Sequence, residues 1–435
     1  MERIILHSDL NNFYASVEKK LNSQLVGKPV AVCGNPEERR GIVLAKSEEA
    51  KAFGVKTGDT VWQAQKKCPN LVVVPPHFDE YMKYSRLVKA IYAEYTDLIE
   101  SYGIDECWLD VSKSTLIFPK YDGEKYVEKD GEKFYSDEFL RFIGDEIRTQ
   151  VKERLNLTVS VGVSFNKVFA KLASDLKKPD GTSVISKLNF KGVVAPLPVE
   201  DLLFVGKATK TKLYALGLNT IGRLALAPED LLKKSFGKVG LTLHKYARGE
   251  DDGEVMHVNE SAPLKSIGNS LTYAENLKTF QSVNKMLLVL SESVSARLRE
   301  SGLGKANTVH LWVRDSALNT LGVQKKVRHT ALCQEIAQHA YSLFCENFAL
   351  PFEIRALGVT VSGFDGDCSQ LTLDETAGNY SKREAVETCV DAIRKKYGYA
   401  SVQRGTIIGD AEEAHNDIKN SHLIKPARFE DTEEQ

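Results

Sequence analysis

Two short β-like runs in this chain carry carboxylates. One is Ile4-Ile5-Leu6-His7-Ser8-Asp9, which closes on Asp9. The other is Ile104-Asp105-Glu106-Cys107-Trp108-Leu109-Asp110, which carries Asp105 and Glu106. If the two strands are neighbours, three carboxylates converge at one sheet edge. Mg²⁺ takes oxygen ligands, keeps several waters and is usually held by a few carboxylates plus substrate phosphates. Two such ions can clamp the attacking and the leaving oxygen of a phosphoryl transfer. Taken singly, Asp9 could cap a helix beginning at Phe13, and Asp105-Glu106 could occupy a turn. As a set, the three point to metal-assisted chemistry on a phosphate.

These residues must be positioned by strands and helices that the pattern makes legible. Residues 3–9 read as a buried strand and 13–20 as a helix. Further strands are expected at 28–33 and 41–45, with a helix from Ser47 to Gly54. Apolar residues at helical spacing (Tyr81, Tyr84, Leu87, Val88, Ile91, Tyr95) predict a helix over 78–99. A strand pair at 99–104 and 107–111 follows, then a charged, aromatic stretch, 119–137, that reads as an inserted hairpin outside the core. A helix at 139–155 and a strand at 158–163 complete an α/β or α+β layer. After Lys178-Pro179-Asp180-Gly181 come short helices with glycine turns, to about Glu250, and a linker at 251–263. Strands at 264–272, 306–314, 321–329 and 355–364, with helices at 280–301 and 331–348, give a split-βαβ order. One more helix is expected at 382–396, and loose order beyond about Gly409.

A chain of 435 residues is too long for one core and implies several domains. Hydrophobic content of 42% and charged content of 27% are ordinary for a soluble globular protein. No apolar run reaches membrane-spanning length, and the N-terminus is too soon polar for a signal peptide. Seven cysteines without a CxxC pair suggest reduced thiols in a cytoplasmic protein. The histidines show no metal-ligand spacing. Net charge is -1, but its distribution is uneven: 177–250 is rich in lysine, whereas the C-terminus ends Glu430-Asp431-Thr432-Glu433-Glu434-Gln435. A basic middle with an acidic tail fits local polyanion binding, and equally a solvated helical surface.

The stretches Asp9-Leu10-Asn11-Asn12-Phe13-Tyr14-Ala15-Ser16-Val17-Glu18, Ile104-Asp105-Glu106 and 161–174 (Val-Gly-Val-Ser-Phe-Asn-Lys-Val-Phe-Ala-Lys-Leu-Ala-Ser) stand in the order and at the separations of a known pattern. The chain resembles the Y-family translesion DNA polymerases, in the DinB/UmuC branch of bacteria, from Ile4 to about Phe364. The resemblance implies a multidomain α+β right-hand polymerase. Its ferredoxin-like palm would be 1–12 and 76–175, with an inserted loop at about 114–138. Small fingers would be 13–75, a helix-hairpin-helix thumb 176–250, a linker 251–263 and a split-βαβ little finger 264–365. A C-terminal tail would occupy 366–435.

The same resemblance implies roles. Asp9, Asp105, Glu106 and the Leu10 carbonyl would hold two Mg²⁺ ions. Phe13 and Tyr14 would face the nucleotide, with Tyr14 as the steric gate against ribose, while Phe13 also reads as a core aromatic. Lys167 and Lys51 would meet the triphosphate. Lys cannot make the bidentate fork of the Arg often found in place of Lys51, and Glu48 replaces a phosphate-binding tyrosine. Ile42 and Leu44 would roof the nascent base pair, and also suit strand packing. Gly206 and Lys207 in the hairpin Leu203–Thr209, whose first glycine is replaced by Phe204, and Lys238 in a second hairpin would meet DNA phosphates. So would Lys265, Lys325, Lys326 and Arg328. Gln370, Leu371 and Leu373 resemble a sliding-clamp peptide that has Asp374 in place of its terminal Phe.

The implied activity is error-prone DNA synthesis by a monomer on primer-template DNA from dNTPs, with a sliding clamp as partner and no membrane. A related-palm nucleotidyl cyclase and a non-catalytic DNA- or clamp-binding accessory protein are the alternatives. Separate basic arms argue against the first, and an intact carboxylate set against the second.

Overall fold

The computed structural model describes residues 2–35, 41–260, 263–364 and 376–405. The chain divides into two compact units. One is built mainly from residues before 261, the other mainly from residues after 262.

The first unit is organised on a five-stranded sheet. Its order is Thr182–Ile185, Val159–Ser164, Ile5–Leu10, Glu106–Asp110, Ile99–Ser101. The central strand is antiparallel to both neighbours, so Asp9 lies opposite Glu106 on one side and Ser160 on the other. Strand Thr182–Ile185 runs parallel to Val159–Ser164 and closes the edge. The sheet therefore continues past residue 175, where the sequence reading ended the palm; four buried residues with a β-branched bias had been passed over beside the Lys-Pro-Asp-Gly turn.

The core on one sheet face packs helices Phe78–Ala93 and Asp137–Leu155 against Leu6, Leu109, Val161 and Val163. Ser136 caps the latter helix by accepting from Phe139 N–H at 3.2 Å. The inserted hairpin is present, as Tyr126–Lys129 with Glu132–Tyr135. Its foot is not outside the core: Phe118 and Tyr135 are buried among Tyr95 and Phe139. Aromatic residues in a charged stretch hid that anchoring from a composition-based reading.

Helix Lys167–Leu176 covers the other sheet face. It lies so close to Gly162 that a Cβ there would come within 2.0 Å of the Ala170 carbonyl oxygen and 2.3 Å of the Ser174 nitrogen. Asn166 caps it, accepting from Phe169 N–H at 2.8 Å. Trp108 Nε1 donates to the Lys167 carbonyl at 2.9 Å. The 251–263 stretch, read as a linker, is pinned as far as residue 260. Val255 is buried with Ile5, Trp108 and Ala170, and Val258 N–H donates to the Asp97 carbonyl at 2.8 Å.

A smaller sheet, Val43–Lys46 with Val30–Cys33 and Val72–Val74, lies beside helix Phe13–Leu21 and the short helices Glu48–Ala52 and Val61–Lys67. Five short helices between Phe190 and Ala247 form an apolar cluster around Leu213, Leu224, Leu232 and Leu243, which also takes in Val168, Phe169 and Leu172 of helix Lys167–Leu176.

The second unit has the expected β-α-β-β-α-β order. Its sheet runs Ser266–Leu277, Ile354–Phe364, Ala306–Asp315, Thr320–Thr330, all antiparallel. Helices Phe280–Glu300 and Cys333–Asn347 bury one face. The tail helix is longer than expected, Thr376–Tyr397. It is tied to the domain by ion pairs, including Arg299–Asp391 at 2.7 Å and Arg394–Glu292 at 3.4 Å.

Candidate active site

The carboxylates meet where the central strand ends. Leu10 N–H donates to the Asp105 carbonyl at 2.9 Å. That bond fixes the turn carrying Asp105 beside the Asp9–Glu106 register pair. The three residues thus occupy adjoining strand ends.

Each of two carboxylates has a lysine. Lys178 Nζ lies 2.9 Å from Asp9 Oδ2, and Lys171 Nζ is paired with Glu106 Oε2. His7, a wholly buried residue of the central strand, brings Nε2 to 3.2 Å from the same Glu106 oxygen, without hydrogen-bond alignment. Its Nδ1 is 2.9 Å from Ser174 Oγ. Burial pushes the Glu106 carboxyl upward, but His7 and Lys171 outweigh it and bring the pKa down to about 2. Asp105 has no such partner. Burial, then the charges of Asp9 and Glu106, raise its pKa to about 6.

Among the described residues no group of three or more His, Cys, Asp or Glu is placed to hold a metal ion by itself. The donor set nevertheless fits hard cations: carboxylate oxygens only, and one of them carrying uncompensated charge in a desolvated place.

Asn11 explains why Lys178 is there. Its amide donates to Ser160 Oγ at 2.8 Å, and its Oδ1 accepts from Asp180 N–H at 2.8 Å. Asp180 is further held by Arg148 at 2.8 Å and Lys152 at 2.7 Å. The Lys178–Asp180 turn is thereby fastened beside Asp9.

Lys167 does not join the carboxylates. Its ammonium lies 2.6 Å from both Glu100 carboxylate oxygens, over the Trp108 ring at 4.7 Å, and 3.3 Å from the Glu254 carbonyl. Trp108 is two residues along the strand from Glu106, one pleat further from the strand end. Sequence reading missed Lys171 and Lys178. The first falls in the quoted 161–174 stretch one helical turn after Lys167; the second belongs to a turn read only as a boundary.

Tyr14 is half-buried and stacks on Tyr81, with ring centroids 4.2 Å apart and planes within 8°. Burial, then the charge of Asp105, lifts its pKa to about 12. Phe13 is 3% exposed and packs in the core, as its second reading expected. Lys51 is solvent-exposed near Glu48, 3.5 Å away. Glu48 also accepts from Asn12 Nδ2 at 2.9 Å, which fixes its carboxylate in place. Ile42 is 43% exposed, and Leu44 is half-buried on its strand.

Gly206 precedes helix Lys207–Ala215 as its N-terminal cap residue. Phe204 adopts φ 70°, a left-handed backbone that glycine reaches freely and phenylalanine does not. Lys207, Lys238, Lys265, Lys325, Lys326 and Arg328 all keep exposed side chains. Gln370, Leu371 and Leu373 lie outside the described residues.

A family model described as the impB/mucB/samB family matches residues 8–175, and the C-terminal domain of that family matches 264–373. A relative from Acetivibrio thermocellus named DNA polymerase IV is 46% identical over 413 residues, 94% of this chain and 98% of that one. The chain belongs to the Y-family DNA polymerases. A second Y-family relative, DNA polymerase IV 1 of Bacillus subtilis, is 35% identical over 94% of each chain. A model described as the DNA polymerase-iota thumb domain matches residues 200–251, within the helical cluster. A solved Y-family DNA polymerase chimera shares the fold, with a TM-score of 0.70 at 23% identity, covering 84% of this chain and all of that one. Among the described residues no helix is long and apolar enough to cross a membrane.

Proposed function

We propose that this Y-family polymerase extends a primer on damaged or stalled template DNA, joining a dNTP α-phosphate to the primer 3′-hydroxyl. The observation that carries the site assignment is the facing pair Asp9–Glu106 with Asp105 in the adjoining turn. Asp9, Asp105, Glu106 and the Leu10 carbonyl would hold two Mg²⁺ ions. Bound there, the ions would lower the pKa of the primer hydroxyl and offset charge on the phosphates.

The chain's own residues do the rest. Lys178 is a cation already fixed at Asp9, and a triphosphate arriving beside Asp9 offers it a second anionic partner. Point cations at transferring phosphates stabilise charge that develops in the transition state. Lys171 and His7 hold Glu106 ionised and in one orientation. Tyr14 acts as the steric gate, its ring blocking a 2′-hydroxyl. Lys51 adds a second, exposed phosphate contact, and Ile42 and Leu44 roof the base pair.

The palm would then comprise the five-stranded sheet, the fingers the small sheet with its helices, the thumb the helical cluster and the little finger the second unit. Exposed lysines on thumb and little finger neutralise DNA phosphates without reading sequence. Residues 370–373 dock on a sliding clamp, and the protein works as a cytoplasmic monomer.

Primer extension opposite a panel of defined lesions, with Mg²⁺ and with chelator, tests this reading. Metal-dependent extension past at least some lesions is expected. Extension unchanged by Asp105→Ala overturns the site.

A further inference from the structure

Tyr14 is only half-buried, yet its ring has a fixed support. Tyr81 lies flat beneath it, 4.2 Å between centroids, and is itself wholly buried. Phe78 meets both rings edge-on, at 6.0 Å from Tyr14 and 5.8 Å from Tyr81. A flat stack by itself is soft, because rings slide past one another at little cost, and aromatic pairs favour many offsets. Tyr81 is tethered as well as packed: its hydroxyl donates to Glu18 Oε1.

Glu18 is 3% exposed. A carboxylate so buried is costly unless its oxygens are matched. Here Oε1 accepts from Tyr81, and His77 Nδ1 lies 2.9 Å from Oε1 and 3.1 Å from Oε2. Glu18 lies on the same helix as Tyr14, one turn further on. The helix therefore carries both the gate ring and the anchor of the ring that supports it. This makes a closed loop: helix backbone, Glu18, Tyr81, Tyr14, and back to the helix.

We propose that Glu18 is a positioning residue for sugar selection, which holds Tyr81 against Tyr14 and so fixes how far the Tyr14 ring projects toward the sugar of an incoming nucleotide. The proposal rests on the steric-gate reading of Tyr14. A gate selects by a steric clash, so its support matters as much as its size. Loosening the support leaves the dNTP, which does not press on the ring, bound as before. The rNTP gains, because its 2′-hydroxyl can push the ring aside.

The test is the ratio of rNTP to dNTP incorporation, taken as kcat/KM for each on one undamaged template, in the full chain. Four proteins are compared with wild type: Glu18→Gln, Tyr81→Phe, Tyr14→Ala, and the double variant Tyr14→Ala/Tyr81→Phe. Tyr81→Phe keeps the ring and removes only the tether; Glu18→Gln keeps an acceptor and removes the charge. Tyr81→Phe is expected to raise the ratio about tenfold, the scale of one hydrogen bond to a charged group, with dNTP kcat/KM held within about twofold. Glu18→Gln should raise it by less. Tyr14→Ala should raise it most, and adding Tyr81→Phe to it should change nothing more.

A merely structural role for Glu18 predicts equal losses for both nucleotides, and that result overturns the proposal. So does an unchanged ratio in both Tyr81→Phe and Glu18→Gln alongside a raised ratio in Tyr14→Ala, which leaves the gate standing without its anchor. An unchanged ratio in Tyr14→Ala removes the gate reading and the proposal together. Circular dichroism and thermal melting of each variant verify folding. Should Glu18→Gln not fold, Tyr81→Phe and its double-variant comparison decide alone.

Discussion

The sheet that carries the carboxylates and the sheet of the second unit handle charge in opposite ways. On the first, the charges are few, half-buried and, apart from Asp105, individually matched: Lys178 on Asp9, Lys171 on Glu106, Lys167 on Glu100. On the second, the edge strand Thr320–Thr330 exposes eight of its eleven residues, and its Lys325, Lys326 and Arg328 face solvent. Desolvated charges interact strongly and at short range; exposed ones interact weakly and are screened within ~8 Å at physiological salt. Chemistry at one phosphate needs the first kind. Holding any duplex without regard to sequence needs the second. The two regions should therefore respond to mutation on different scales.

The contrast would break if the carboxylates proved dispensable. Asp105→Ala should reduce primer extension by about 10³-fold or more, with DNA binding almost unchanged, as read by single-turnover extension and a binding titration. Extension at the wild-type rate would mean that the carboxylate cluster is structural.

Next in size is the difference between two lysines. Lys178→Ala should lower kcat/KM for dNTP by about 10²-fold, the scale of one lost charge-stabilising contact. Lys167→Ala should lower the melting temperature and leave the catalytic step nearly intact, because Lys167 binds Glu100 and the Glu254 carbonyl. Single-turnover rates that fall in Lys167→Ala and not in Lys178→Ala would reverse the assignment.

Asp105 sharpens the comparison by pH. Its folded pKa, raised to about 6, exceeds an unfolded value of about 3.9. Ionised Asp105 therefore costs stability, none of it below about pH 4 and all of it above about pH 6. In metal-free buffer Asp105→Asn should melt higher than wild type at pH 7, and the gap should close as pH falls toward 4. Melting curves across that range that run parallel would show that Asp105 is not destabilised.

The smallest effects belong to the edge strand. Replacing Lys325, Lys326 or Arg328 by alanine should each weaken DNA binding modestly. Each should also make the slope of log affinity against log salt shallower by about 0.9. Lys325 is also 3.4 Å from Glu346 on the same unit, so its replacement should have the least effect. A salt slope untouched by the triple replacement would take this strand away from the DNA.

Much of this contrast was legible before any coordinates. Asp9, Asp105 and Glu106 announced themselves because carboxylates in apolar strands are anomalous, and anomalies survive without an alignment. The β-α-β-β-α-β order of the second unit followed from strict periodicity. The lysines were harder. Lys167, Lys171 and Lys178 differ in which pleat or turn they reach, and that depends on helix seating, which no spacing rule supplies. The same limit hid Glu18: a carboxylate in a surface-like helix reads as solvated until Tyr81 and His77 are found beside it. The pinned 251–260 stretch was missed because its anchors are single residues such as Val255 among polar neighbours.

Gly162 gives the active site a mechanical tolerance. The helix bearing Lys171 and Ser174 rests directly on the backbone of the strand at that glycine. A single methyl group there would act as a shim, lifting the helix off its seat. The lift would draw Lys171 away from Glu106 and Ser174 away from His7 in one motion. The electrostatics of the site are thus machined by a residue with no charge and no side chain, and the clearance it provides is smaller than the group that any substitution would insert.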